Sequence, residues 1–222
     1  MLTMLHAGRR RRRLGERGAV AVEAALVTPF LVMLVLGIIE FTFVLRDYVA
    51  VTSATRSGAR ISSANAGAGP QFCDSGESGT ACSNTNAPQL AKLGVNAIAT
   101  QGVALNRDLV NYVMVYKANA SGFPGSLTAW GANPQTDCSS AGNGCVVYQW
   151  QKAADKFKYL SGSWTSSTIN ACASQSDSVG VYVSAQHPFI SGLFGATLTV
   201  TDRTVMRFEP LTATICAPGS HA

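Results

Sequence analysis

Two carboxylates, Glu23 and Glu40, bracket a run of 16 uncharged residues, Ala24–Ile39. A charged side chain deep in a bilayer costs roughly 2.5–3.5 kcal/mol on insertion scales, so an acid in this setting marks a functional site by default. Glu23 carries that argument fully. Glu40 carries it more weakly, because a carboxylate near the outer interface reaches water. The second set of reactive groups is six cysteines, Cys73, Cys82, Cys138, Cys145, Cys172 and Cys216, all beyond the apolar run. An even number confined to one side of a membrane segment fits disulfides in an oxidising compartment, not a catalytic thiol. Six cysteines permit fifteen pairings. The pairs nearest in sequence are Cys73 with Cys82, and Cys138 with Cys145 around Ala141-Gly142-Asn143-Gly144, which leaves Cys172 for Cys216. A metal site is not expected, since no CxxC occurs and only His187 and His221 lie in this region.

The remaining polar residues offer little chemistry. No GxSxG elbow, HExxH helix or phosphate-binding glycine loop is present. His187 precedes Pro188 and reads as a surface or loop histidine. Asp137, Asp155, Asp177 and Asp202 are scattered and lack calcium-loop spacing. Asn119 heads an Asn-Ala-Ser triplet, a pattern frequent by chance. Trp130, Trp150 and Trp164 read as core or rim residues rather than a sugar-binding platform. The sequence predicts no catalysis, no cofactor and no small-molecule substrate.

The elements that must carry these groups follow from charge and hydropathy. The chain has 222 residues and a net charge of +5. Residues 1–18 hold six arginines and one acid, so the whole surplus sits in the leader and the rest is neutral. Nothing downstream forms the basic stripe that nucleic acid requires. Residues 19–45 form 27 apolar positions broken only by Glu23 and Glu40, and about 20 suffice to span a bilayer core. The arginines hold the preceding end in the cytoplasm and place everything after Arg46 outside. The run exceeds the 7–15 residues of a signal-peptide core. Pro29 predicts a bend. Residues 46–64 continue the helix out of the membrane, with Arg56 and Arg60 on one face. Ala64–Pro70 is a linker, and residues 65–222 form an exported domain. There, Gln89–Gln101 has helical spacing. Leu109–Tyr116, Cys145–Trp150, Val179–Ala185 and Ala196–Phe208 are β-rich. Together they predict an α+β head, a helix packed on a small antiparallel sheet.

Gly18 with Glu23 five positions on, heading a long apolar helix, resembles the processing site of type IV pilin-like precursors. The wider stretch, with Pro29, Gly37-Ile38-Ile39-Glu40-Phe41 and Arg56-Ser57-Gly58-Ala59-Arg60, resembles the TadE-like family over about residues 17–63. Ala24 departs from the phenylalanine usual there. Members are pseudopilins or minor pilins of the tight-adherence (Flp pilus) machinery. The resemblance implies cleavage by a prepilin peptidase between Gly18 and Ala19, with Glu23 part of the site. It implies a bacterial cytoplasmic-membrane protein with other pilin subunits and the Tad secretion machinery as partners, serving adhesion. The rival expectation is a membrane-anchored extracellular binding module, glycan-directed, held by an uncleaved helix.

Overall fold

Val113 and Val115 alternate with Met114 and Tyr116, and all four are fully buried. A strand that buries both faces must lie inside a sheet covered on each side, and that strand organises the rest. The computed structural model describes residues 15–71, 87–101, 105–142, 144–192 and 194–220. Its elements are α1 (Gly15–Ala64), α2 (Gln89–Gln101), β1 (Val110–Ala118), α3 (Pro134–Ser140), β2 (Cys145–Gln151), β3 (Lys156–Ser163), β4 (Ser178–Pro188) and β5 (Thr197–Arg207). The strands form one five-stranded antiparallel sheet in the order β3-β2-β1-β4-β5. The fold is α+β, as the sequence predicts. Two compact units divide between Phe43 and Val44, within α1.

In the second unit, one sheet face is covered by helices. From Ala50 onward α1 turns a stripe of small residues inward: Ala50, Val51, Ala54, Thr55, Ala59, Ser62 and Ser63 are all buried. The spacing of three to four is that of one helix face. Small side chains bring the α1 backbone close to its neighbours. A Cβ added at Gly94 of α2 would lie 2.0 Å from Ser62 Oγ and 2.9 Å from the Gly58 carbonyl. The α1–α2 crossing therefore requires glycine. Leu90, Ala91, Val95 and Ile98 of α2 pack into the same core as Val113, Val115, Val146, Tyr148, Val181 and Val183. The linker returns the chain to this layer: Gln71 N–H donates to the Ala87 carbonyl at 2.9 Å, and Gln89 N–H to that of Gly69 at 2.8 Å.

Polar contacts fasten α1 to the far strands. Thr55 Oγ1 donates to Asp202 at 2.9 Å and accepts from Thr204 at 3.1 Å. His187 Nδ1 stands 2.7 Å from Asp47 Oδ2. His187 is thus not the surface or loop histidine that its His-Pro context suggests. It lies on β4, 3% exposed, because strand alternation aims it at α1 and Asp47 supplies a polar partner there.

The opposite face buries Met114, Tyr116, Val147 and Tyr182 with Cys138 and Cys145. Trp130 packs on Tyr116, Phe123 and Tyr182 at centroid distances of 5.7, 5.4 and 5.3 Å. Gly180 pairs with Tyr116 across the strands, and a Cβ there would fall 2.2 Å from the ring. The absent side chain gives the tyrosine its bed. Asn119 organises the loop beneath: its Nδ2 donates to the Gly125 and Leu127 carbonyls, and its Oδ1 accepts from the backbone of Ser121 and Phe123. Trp164 is fully buried and Trp150 packs at the core's edge, so the tryptophans occupy core and rim.

Two disulfides close the domain. Cys138–Cys145 ties α3 to β2, with Cα atoms 5.4 Å apart. Cys172–Cys216 spans 44 residues and ties the C-terminal segment beside β4. Cys138–Cys145 is the expected pair near in sequence and Cys172–Cys216 the pair expected as the remainder, while Cys73 and Cys82 lie outside the described residues.

Candidate functional site: an exposed apolar helix with two carboxylates

The N-terminal part of α1 is apolar on every side. Leu26, Phe30, Leu31, Met33, Leu34 and Ile38 are all more than half exposed, Phe30 at 75%. A helix hydrophobic all round belongs in a membrane or inside a larger assembly. The most apolar 18-residue window of this helix has a mean hydropathy of 2.4 and no buried residue. At 1.5 Å per residue, the stretch from Ala19 to Leu45 is about 40 Å long, enough to cross a hydrocarbon core of about 30 Å. Length and composition make this one candidate span among the described residues.

The polar residues of this stretch are handled locally. Thr28 Oγ1 donates to the Ala24 carbonyl at 2.6 Å and Thr42 Oγ1 to that of Ile38 at 2.8 Å. Each hydroxyl is satisfied inside the helix, the arrangement that lets threonine enter an apolar phase. The helix runs through Pro29 without a break. Glu23 is exposed near the start of α1, on a turn whose other side chains are apolar. Gly37 is half-buried. Glu40 is buried, at 3% exposure. Gly18 and Ala19 are exposed within the helix. A Cβ added at Gly18 would meet nothing within 4 Å. The leader arginines up to Arg13 lie outside the described residues.

Chemistry elsewhere is sparse. Asp177 pairs with Lys117 at 2.7 Å, Asp155 with Arg107 at 3.6 Å, and Asp137 caps the Gly131 N–H at 2.6 Å. Among the described residues, no group of three or more His, Cys, Asp or Glu side chains is arranged to hold a metal ion.

A family model described as TadE-like protein matches residues 18–60. Over that stretch the chain is similar to TadE-like proteins. No curated protein and no solved structure matches the chain. The TadE-like segment lies wholly within α1, beginning at Gly18 and stopping four residues before the helix ends. It therefore includes both the exposed apolar stretch and the small-residue face with Gly58 and Ala59. The sheet, both described disulfides and α2 fall outside it. Sequence reasoning locates this helix and misses one contributor, Asp47, whose partner His187 lies 140 residues away.

Proposed function

We propose that this protein is a membrane-anchored, pilus-associated component of the minor-pilin kind, acting by assembly rather than catalysis. The carrying observation is the TadE-like match at residues 18–60, the first part of which is a helix exposing apolar side chains on all faces. In this reading α1 rests in the cytoplasmic membrane and then packs against other pilin helices, exchanging lipid for protein. Residues 1–18 are a cytoplasmic leader, 19–45 the membrane helix, 46–64 its exported continuation and 65–222 an extracytoplasmic head. The head is far larger than the helix, which favours an accessory or tip position in a Flp-type fibre used in adhesion.

Processing after Gly18 is part of the proposal. Glycine inside a helix costs about 1 kcal/mol relative to alanine, and nothing near Gly18 requires the missing side chain. A requirement for glycine at this position then comes from outside the chain, as the narrow pocket of a prepilin peptidase would impose. Cleavage leaves the Ala19 amine, a cation near neutral pH, four residues from Glu23. Pairing that amine with Glu23 of a neighbouring helix offsets the cost of burying either charge alone and sets the axial register of packing.

The test is N-terminal sequencing of membrane-extracted protein, wild type and Gly18→Phe. The expected result is a new start at Ala19 in the wild type and an intact leader in the variant. An intact leader in both defeats the pilin reading and leaves an uncleaved anchor carrying a binding module.

A further inference from the structure

Where β1 begins and β2 ends, an open cleft of about 590 Å³ lies in the head, lined among others by Asp108, Tyr112, Gln135, Gln149, Trp150 and Lys152. Small-molecule sites commonly occupy clefts of about 300–1,000 Å³ with a few convergent polar groups. The charges at this one are already spent. Lys152 Nζ donates to Asp108 Oδ2 at 2.5 Å, and Trp150 Nε1 donates to Asp108 Oδ1 at 3.2 Å. A cation or an anion entering here would have to compete with a pair that is already formed.

The free hydrogen-bonding capacity belongs to uncharged groups. The side-chain amides of Gln135 on α3 and Gln149 on β2 bond to no other group among the described residues. Each offers two donors and an acceptor oxygen. Burial pushes the Tyr112 phenol up to about 12, which keeps it a neutral hydroxyl at physiological pH. Tyr112 is held by stacking on Tyr182, centroids 6.1 Å apart. Trp150 is fixed by its bond to Asp108, by edge contact with Phe157 at 5.1 Å and by the Arg107 guanidinium 5.0 Å over its ring, so a sugar reaches this side of the cleft at the tryptophan's uncovered edge. The cleft thus combines two unspent amides, two positioned aromatic rings and no uncompensated charge.

We infer that this cleft binds a short neutral glycan of one or two sugar rings. Adjacent sugar hydroxyls each donate and accept, which is what a carboxamide matches with its two ends. The C–H face of a sugar ring is apolar and lies against an aromatic side chain, while the ring's polar rim remains hydrogen-bonded. A polypeptide is less suited, because β1 and β2 already pair with each other and so present no free strand edge between them. This inference is independent of the pilus reading. It concerns a site in the head, and cleavage at Gly18 does not bear on it.

The test uses the full chain in a zwitterionic detergent without a sugar headgroup, since a glycoside detergent carries the ligand chemistry itself. Maltose, cellobiose, lactose and diacetylchitobiose are titrated separately, followed by tryptophan fluorescence and saturation-transfer NMR. Saturable binding of at least one disaccharide is expected. Gln149→Leu and Gln135→Leu should each weaken it roughly tenfold, the scale of one lost hydrogen bond. Both residues are at the surface or half-buried, so near-UV circular dichroism should be unchanged, and that measurement checks folding. The inference is overturned by failure of all four sugars to saturate, by binding that both variants retain, or by binding seen only with an anionic glycan such as sialyllactose.

Discussion

Gly94→Ala is the sharpest test of how α1 and α2 meet, because two opposing effects predict opposite signs. By helix propensity alone, alanine in the middle of α2 would stabilise the protein by about 1 kcal/mol. The crossing geometry says otherwise. The new methyl would lie 2.0 Å from Ser62 Oγ, 3.3 Å from Ser62 Cβ and 2.9 Å from the Gly58 carbonyl oxygen. Ser62 can rotate away, but that forfeits its hydrogen bond to the Leu90 carbonyl at 3.2 Å, about 1 kcal/mol. The Gly58 carbonyl belongs to the α1 backbone and cannot move without shifting the helix. Overpacking of this kind costs about 1–3 kcal/mol. The clash and the lost bond together outweigh the propensity gain, leaving a net loss of about 1–3 kcal/mol. For a chain of this size each kcal/mol lowers Tm by about 2–4 °C.

The assay is thermal unfolding of the full chain in detergent, followed by near-UV circular dichroism so that the head's aromatic packing is read directly. Ser62→Ala is measured alone and combined with Gly94→Ala. Removing Oγ eliminates the shortest contact, so the double variant should lose less than the sum of the singles. A Gly94→Ala protein more stable than wild type would refute the close crossing. So would singles and double that add to within about 0.5 kcal/mol, the behaviour of independent sites.

The remaining expectations concern the head's staples and phenols. Loop-closure entropy assigns about 4 kcal/mol to Cys172–Cys216, whose ends are separated by 44 positions, and about 2.5 kcal/mol to Cys138–Cys145, separated by 7. Replacing Cys172 and Cys216 by alanine should therefore lower the urea midpoint more than replacing the shorter pair, and the reverse order would contradict the loop-length account. Burial pushes the Tyr112 and Tyr116 phenols up to about 12 from an ordinary value of 10.0. Their folded pKa is the higher, so their contribution is full below pH 10 and is lost as pH rises toward 12. In an alkaline titration read by phenolate absorbance, Tyr112 and Tyr116 should ionise well above pH 10, and full ionisation of both near pH 10, judged against Tyr112→Phe and Tyr116→Phe, would refute this burial.

What the sequence discloses of the fold depends on how far each signal reaches along the chain. α2 spans Gln89–Gln101, the range its helical spacing predicts, because one face carries Leu90, Ala97 and Ile98 into the core. β1, β2, β4 and β5 are all present where β-rich runs mark them. β3 escapes prediction. Its sequence Lys-Phe-Lys-Tyr-Leu-Ser-Gly-Ser buries only Phe157 fully, and it is a strand because β2 supplies a ladder, with an irregularity near Tyr148. Tertiary pairing overrides propensity at such edges. α3 is legible yet missed: Asn133 accepts from the Gln135 N–H and Pro134 opens the helix, the capping pattern that marks a helix start.

The same contrast separates the two sites. The apolar helix is readable from composition because a membrane, unlike a protein core, imposes one requirement on consecutive residues. An unbroken run of about 20 apolar positions meets that requirement, whereas a helix on a protein core needs only one apolar face. A carboxylate within such a run stands out for the same reason. The cleft in the head has no such local signature. Asp108, Gln135 and Gln149 come from three separate elements, and each alone is an ordinary polar residue. Only the register of β2 on β1, Val113 opposite Tyr148, together with the disulfide that holds α3 against β2, brings the two amides to one cavity. The assignment of the tryptophans to core and rim is correct for their burial. That reading is also incomplete, because a rim tryptophan locked by Asp108 is both a packing residue and one wall of a cleft. Burial decides what a side chain contributes to stability, whereas the edge it leaves uncovered decides what it can recognise.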